Sequence, residues 1–570
     1  MAILQTREAD CRDCYACVRS CPVKAIKITT GHAQVVADMC ILDGTCIAAC
    51  PQGAKQVADN TDLVRTMLAT ERVAFSLAPS IAAFYTPAVV AAALRQLGAV
   101  AVTETAETAG WVSLATYEAK RNGQGSPVIS SSCPAVVNLV EKYYPGCLTY
   151  LAPVVSPMIA HGRVIKSALG NVKVVFVGPC IAKKEERIND VTTAVDVVLT
   201  FTELDKMLSS DLPNWQLLPA EGLDHFVGDV TRSTVRQFPL PGGMKPLLPT
   251  SADDVLVITG VKRCAEFLAD FVRTRQVPAA VVELMACEGG CVGGPTLTTH
   301  QPLFRNEMAV RMFAAPKNDE LPGNQRANYK YGQVPLARTF TDRRPRLPQP
   351  SEEEIKAILA SIGKHNRADE LNCGACGYDS CRDKAIAVFR GLAEREMCIP
   401  YMRSKAESLA EVTIAATPTA VLVVNRSLHL LALNPAAELL FNCHTDEWVG
   451  RPLPQLIPAN RVEQVFSSGE NSTGITRFPK YDIVVREMVA YDAHNDLAII
   501  LLTDITAEMA QQKELTQLKD LTLSKAQEVI DRQMRVAQEI AGLLGETTAE
   551  TKFILTELMR ILAQKEDEAV

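Results

Sequence analysis

The sequence predicts a multi-domain α/β protein organised around bound metal, and three observations carry that expectation. At 570 residues the chain exceeds what one hydrophobic core sustains. Residues 70–315 alternate short β-branched runs with helical periodicities, as α/β domains do. The 18 cysteines fall in tight bunches, and in a reducing compartment such spacing points to metal ligation in place of disulfides.

Composition narrows the function classes. Apolar residues make up 48% and charged residues 22%, with a formal net charge of -7, so there is no basic footprint for nucleic acid or an anionic membrane. No apolar run approaches the roughly 20 residues that span a bilayer. The opening MAILQTREAD has neither a basic leader nor an apolar signal core, so a cytoplasmic location is expected.

Residues 1–62 hold seven cysteines. In CRDCYACVRSCP, Cys11, Cys14, Cys17 and Cys21 have the spacing at which thiolates on a tight turn converge on corners of an iron-sulfur cube. The segment CILDGTCIAACP repeats the spacing with Cys40, Cys46 and Cys50, but Asp43 stands where a cysteine is expected. The pair resembles a bacterial two-cluster 4Fe-4S ferredoxin domain. That resemblance implies one cluster on Cys11, Cys14, Cys17 and Cys50. It implies a second on Cys21, Cys40 and Cys46, with Asp43 or nothing as fourth ligand, hence 4Fe-4S or 3Fe-4S. A zinc ribbon is the alternative, disfavoured because zinc sites group four ligands as two pairs.

Residues 70–315 carry four loops of one design, in which an apolar strand ends and a small turn bearing proline or cysteine follows. They are FSLAPS with Ala78, Pro79 and Ser80; VISSSCP with Ser132 and Cys133; VVFVGPCIAKKE with Cys180 and Lys183; and VVELMACEGGCVGG with Met285, Cys287 and Cys291. Ligands of α/β folds collect at such strand ends. Four cysteines from three distant loops suit one buried cluster that the whole fold assembles.

These loops resemble the signature motifs of FeFe-hydrogenases, approximately TSCCPxW, MPCxxKKxE and ExMACxxGCxxGGGQP. The resemblance implies an H-cluster, a 4Fe-4S cube joined to a two-iron carbonyl/cyanide dithiolate unit. Cys133, Cys180, Cys287 and Cys291 would hold it, with Cys291 bridging to the two-iron unit. Lys183 would donate to a cyanide, Met285 would pack beside the bridging carbonyl, and Ala78, Pro79 and Ser80 would close the pocket. A charged donor suits a buried anionic ligand, which is costly without a partner.

Departures from the motifs are informative. Catalytic members carry two adjacent cysteines in the first motif, and Ser132 stands at the proton-relaying position. A hydroxyl has a far higher pKa than a thiol and exchanges its proton less readily near neutral pH. Gly178 replaces methionine, and GGP falls short of GGGQP, so a looser pocket is expected. These features resemble the sensory, PAS-containing group of the family.

Residues 316–350 read as an extended connector, after which Ser351 and Glu354 form a capping box. Within 351–405, NCGACGYDSC and EREMC place Cys373, Cys376, Cys381 and Cys398 in a pattern resembling a small 4Fe-4S domain. Residues 408–507, with strand AVLVV, Asn434-Pro435-Ala436 opening a helix and a last strand ending in TDIT, resemble a PAS α+β domain. Residues 508–570 are expected to form C-terminal helices for signalling or dimerisation, with a break at Gly545 and a new start near Thr547 and Glu550. Cys147, Cys264 and Cys443 lack ligand-spaced neighbours and are expected to be packed thiols.

The resemblance therefore implies a low-turnover ferredoxin-type FeFe-hydrogenase that binds and slowly oxidises dihydrogen as a sensor. Electrons would pass through the 4Fe-4S clusters to ferredoxin or another redox partner. A homodimer through the PAS domain and terminal helices would signal to a kinase or phosphatase. The rivals are an ordinary ferredoxin-linked hydrogenase and an iron-sulfur assembly or electron-transfer protein without the two-iron unit.

Overall fold

A computed structural model describes residues 3–121, 127–228, 231–251, 254–296, 301–316, 324–543 and 548–564. The chain divides into two compact units, Met1–Met402 and Arg403–Val570.

The first unit is built on two parallel sheets. Ala101–Glu104, Val73–Leu77, Lys173–Gly178 and Val197–Thr200 lie side by side in that order; Val255–Thr259, Val281–Met285 and Val128–Ile129 form the second sheet. Val73–Leu77 and Val281–Met285 are buried along their whole length. That explains their unbroken apolar runs, because helices cover both faces of a parallel sheet. All four predicted loops leave the carboxyl ends of these strands, which brings them to one edge of the structure. Gln325–Tyr329, from the segment read as a connector, pairs in parallel with His225–Val227.

Residues near the amino terminus form a hairpin, Ile26–Thr29 with His32–Val35, and a second antiparallel pair, Leu4–Thr6 with Lys55–Val57. The short helices Ala16–Ser20 and Thr45–Ala48 start within the two cysteine motifs. Farther along, helix Glu352–Ala360 opens on the expected capping box, with Ser351 and Glu354 satisfying each other's backbone N–H. It packs with Cys381–Phe389 around Ile355, Leu359 and Ala385.

In the second unit, five antiparallel strands run in the order Leu430–Leu433, Ala420–Asn425, Leu497–Asp504, Ile483–Asp492 and Ser472–Phe478. One face is packed by Pro435–Phe441 and Asn460–Ser468 around Leu422, Phe441, Val462 and Ile500. Asn434 caps Pro435–Phe441 through Ala437 N–H and also accepts from Val421 N–H at 2.8 Å, which locks helix to sheet. Two long helices follow, Thr506–Leu543 and Thr548–Gln564; the expected break at Leu544–Thr547 lies outside the described residues. No helix is long and apolar enough to cross a membrane among the described residues.

Candidate metal centre

Strand ends decide the central site. Cys133 ends the turn after Val128–Ile129 and caps helix Pro134–Tyr143; Cys180 follows Lys173–Gly178; Cys287 and Cys291 follow Val281–Met285. All four thiols line one cavity with Ser132, Lys183, Glu283 and Met285. An adjoining cavity adds Ala78, Pro79 and Ser80 and shares Ser132, Cys180, Lys183 and Cys291. Burial and mutual repulsion push the thiols upward: Cys180 to about 11, Cys291 to about 12, and Cys287 far above its usual value. Raised in this way, the thiols are neutral until a bound metal displaces their protons, which is the donor chemistry a cluster requires.

The cavity wall also holds polar groups without partners. The hydroxyls of Ser80 and Ser132 and the Oε2 of Glu283 are buried with no hydrogen bond among the described residues. Unpaired buried groups are costly, so three around the two adjoining cavities mark a place made for a polar guest. Lys183 Nζ donates to Ser132 O at 3.4 Å and to Glu186 Oε2 at 2.7 Å. Glu283 was not singled out from the sequence as a site residue. Desolvation raises its carboxyl to about 7, against weaker help from the N–H groups of Met244 and Gly242. Its only sequence-level trace is the glutamate of the third motif.

One expectation needs correction. Gly178 does not leave open space at its own position, because a Cβ there would lie 2.6 Å from the ring of Phe176. Cys264 is buried beside the site but turned from it; its thiol donates to Met285 O at 3.5 Å.

The second amino-terminal motif abuts this cavity. Burial and their neighbours raise Cys21 to about 11 and Cys40 to about 12, and each responds to Asp43; Cys46 responds to Asp43, Cys40 and Cys21 together. Asp43 is buried in the loop between Cys40 and Cys46, its carboxyl raised by burial and held by the Thr45 hydroxyl. It also acts on Cys287 of the central cavity. At Gly44, where φ is +79°, an added Cβ would come within 2.3 Å of Pro295, so the two motifs touch at a place only glycine fits. Helix Pro134–Tyr143, starting at Cys133, holds this loop from behind: Lys142 Nζ donates to Cys40 O at 2.6 Å and Tyr143 to Met39 O at 2.7 Å.

In the first motif, Cys17 responds to Cys11 and Cys14. Ligand atoms of Cys11, Asp13 and His32 lie within 4.8 Å of one another, a juxtaposition the sequence did not suggest because His32 comes from the hairpin. Cys50 accepts from Ala54 N–H at 3.3 Å, and Cys21 from Ala25 N–H at 3.3 Å. The later cysteine domain leans on this region. Ile28 N–H donates to Leu392 O at 2.9 Å and Arg19 to Ala375 O at 3.2 Å. Tyr378 is buried in the same apolar cluster as Cys376 and Cys21. Cys373, Cys376, Cys381 and Cys398 line one hollow.

Known families match several stretches of the chain. The profile described as iron only hydrogenase large subunit, C-terminal domain, matches residues 69–253 and 248–295. A 4Fe-4S dicluster domain matches 3–51, and the PAS fold matches 414–468.

The chain is an FeFe-hydrogenase-like protein with a PAS domain.

A further profile, of an Fe-S cluster type, covers residues 369–400 of this FeFe-hydrogenase-like chain. Curated relatives are distant. The NADP-reducing hydrogenase subunit HndD of Solidesulfovibrio fructosivorans is 25% identical over 364 residues, covering 50% of this chain and 62% of its own length. The periplasmic Fe hydrogenase large subunit of Nitratidesulfovibrio vulgaris is 27% identical over 31% of this chain and 52% of its own. The cytosolic Fe-S cluster assembly factor NAR1 of Eremothecium gossypii is 35% identical over 16% of this chain and 20% of its own. The chain thus spans less than two thirds of the length of each of these relatives. Among solved structures, a variant of the FeFe-hydrogenase HydA1 from Chlamydomonas reinhardtii aligns at TM-score 0.40 and 17% identity, covering 50% of this chain and all (100%) of that one.

Proposed function

We propose that this chain binds dihydrogen at an H-cluster, oxidises it slowly and reports the result, acting as a sensor. The observation that carries the reading is the meeting of Cys133, Cys180, Cys287 and Cys291 with Lys183 and Met285 around one cavity. In that reading the four thiolates hold the 4Fe-4S part, Cys291 reaches the two-iron unit, and Lys183 offers its ammonium to a cyanide. The two-iron unit, when bound, supplies the metal acidity that cleaves dihydrogen.

This chain's own residues make the cleavage slow. Ser132 occupies the proton-relay position, and its hydroxyl, without a partner among the described residues, orients a proton more readily than it exchanges one. Glu283, with its carboxyl raised to about 7, is the group in the same wall that gains and loses a proton near neutral pH. Ala78, Pro79 and Ser80 close the second side.

Electrons would leave by the cluster on Cys21, Cys40, Cys46 and Asp43, the group that touches the central cavity. The cluster on Cys11, Cys14, Cys17 and Cys50 and the one on Cys373, Cys376, Cys381 and Cys398 would extend the route to ferredoxin or another redox partner. The PAS domain and exposed terminal helices, with Leu515, Leu518 and Leu521 on their surface, would join two copies and address a kinase or phosphatase.

Infrared spectroscopy after maturation tests the reading: carbonyl and cyanide bands that respond to dihydrogen are expected. Their absence would favour the second reading, an iron-sulfur assembly protein without the two-iron unit, which the short match to an assembly factor supports.

A further inference from the structure

Residues 335–343 form a strap across the helix that carries Lys183. Val155 N–H donates to Leu336 O at 2.9 Å and Arg338 N–H to Pro153 O at 3.0 Å. Arg343 grips Glu141 at 3.1 Å and Glu185 at 2.9 Å. The neighbouring carboxylate, Glu186, has a side chain only 1% exposed, and its two oxygens serve different partners: Oε1 takes Arg338 at 2.8 Å and Oε2 takes Lys183 at 2.7 Å. Lys183 also reaches Ser132 O and lines both parts of the central cavity.

A buried carboxylate shared between two cations binds each less tightly than it would bind either alone. We infer that Arg338 is a positioning residue: by holding one oxygen of Glu186 it leaves the Lys183 ammonium available to the cavity, and so couples the seating of the strap to whatever the cavity holds. Without Arg338, Glu186 Oε1 is left buried and unpaired, and the carboxylate turns both oxygens to Lys183. The amine is then drawn off Ser132 O. The strap continues to Pro348, whose carbonyl accepts from Arg390 of the third cysteine domain at 3.1 Å, so displacement of that domain bears on the same carboxylate.

The inference rests on the reading that Lys183 faces the bound group, and the test separates the two. In the matured full-length protein, R338Q should shift a cyanide infrared band and slow acylation of Lys183 by an amine reagent several-fold, as read by mass spectrometry. R338K should restore both. R343Q, which removes the grip on Glu141 and Glu185 but leaves Arg338 on Glu186, should move both far less than R338Q. Unchanged Lys183 labelling in R338Q, or equal effects of R343Q, would overturn the clamp. If no cyanide band exists in any sample, the H-cluster reading fails while the labelling still decides the role of Arg338.

Discussion

The amino-terminal and central cysteine sites solve one problem in opposite ways. In the first, seven cysteines lie within forty residues, Cys40, Asp43 and Cys46 share one loop, in which Leu42 N–H donates to Cys40 sulfur at 3.4 Å, and the proposed clusters cross between the two motifs only at Cys21 and Cys50. In the second, Cys133, Cys180 and Cys287 come from three strand ends in two sheets and meet only because those strands run parallel. Ligands this near in sequence need only two neighbouring motifs to fold together. Distant ligands form one only when the whole domain has folded, and they also allow a wall that the neighbouring strands tune.

Four measurements would break or sharpen that contrast. The largest effect is expected for Cys291→Ala. It should abolish carbonyl and cyanide bands and any hydrogen turnover, while the electron paramagnetic signals of the amino-terminal site persist. Loss of both sets together would mean that the local site depends on the central one.

Next comes the cost held in the cavity wall. The Glu283 carboxyl is raised from the usual 4.5 to about 7, so its stabilising contribution is whole below about pH 4.5 and is lost as pH rises through 7. Glu283→Gln should therefore change little at pH 4 and stabilise the cluster-free chain by up to about 3 kcal/mol above pH 8, at 1.36 kcal/mol per unit. Thermal unfolding midpoints across pH read this, and a pH-independent difference would contradict it.

Ser132→Cys should raise hydrogen turnover, by about tenfold or more, since a positioned proton donor of suitable pKa is worth roughly 10² to 10⁴. An unchanged rate would remove Ser132 as the cause of slowness. The smallest effect belongs to Asp43→Cys. A fourth thiolate should slow loss of iron to a chelator by about tenfold and remove any 3Fe signal, leaving the infrared bands of the central site in place. Bands that moved strongly would show the two sites to be one electronic unit.

Legibility followed the same divide. The seven amino-terminal cysteines, the capping box at Ser351 and the Asn434 helix cap could be read from spacing, because each depends on residues a few positions apart. Gly178 misled: the motif has a methionine there, and nothing in the local pattern says that the ring of Phe176 lies beside it. His32 beside Cys11 was equally hidden, since the hairpin that brings them together is a pairing between segments.

Spacing along the chain was enough to expect metal ligation and an α/β domain, and the resemblance of its motifs pointed to a hydrogenase-type domain and a PAS module, since side-chain chemistry and short periodicities need no partner from elsewhere. Folding alone decided that Gly44 packs against Pro295, that Ile28 N–H reaches Leu392 O, and that Glu186 divides itself between Arg338 and Lys183. Those are distances across the interior, and they depend on how sheets and helices stack, which no run of neighbouring residues encodes.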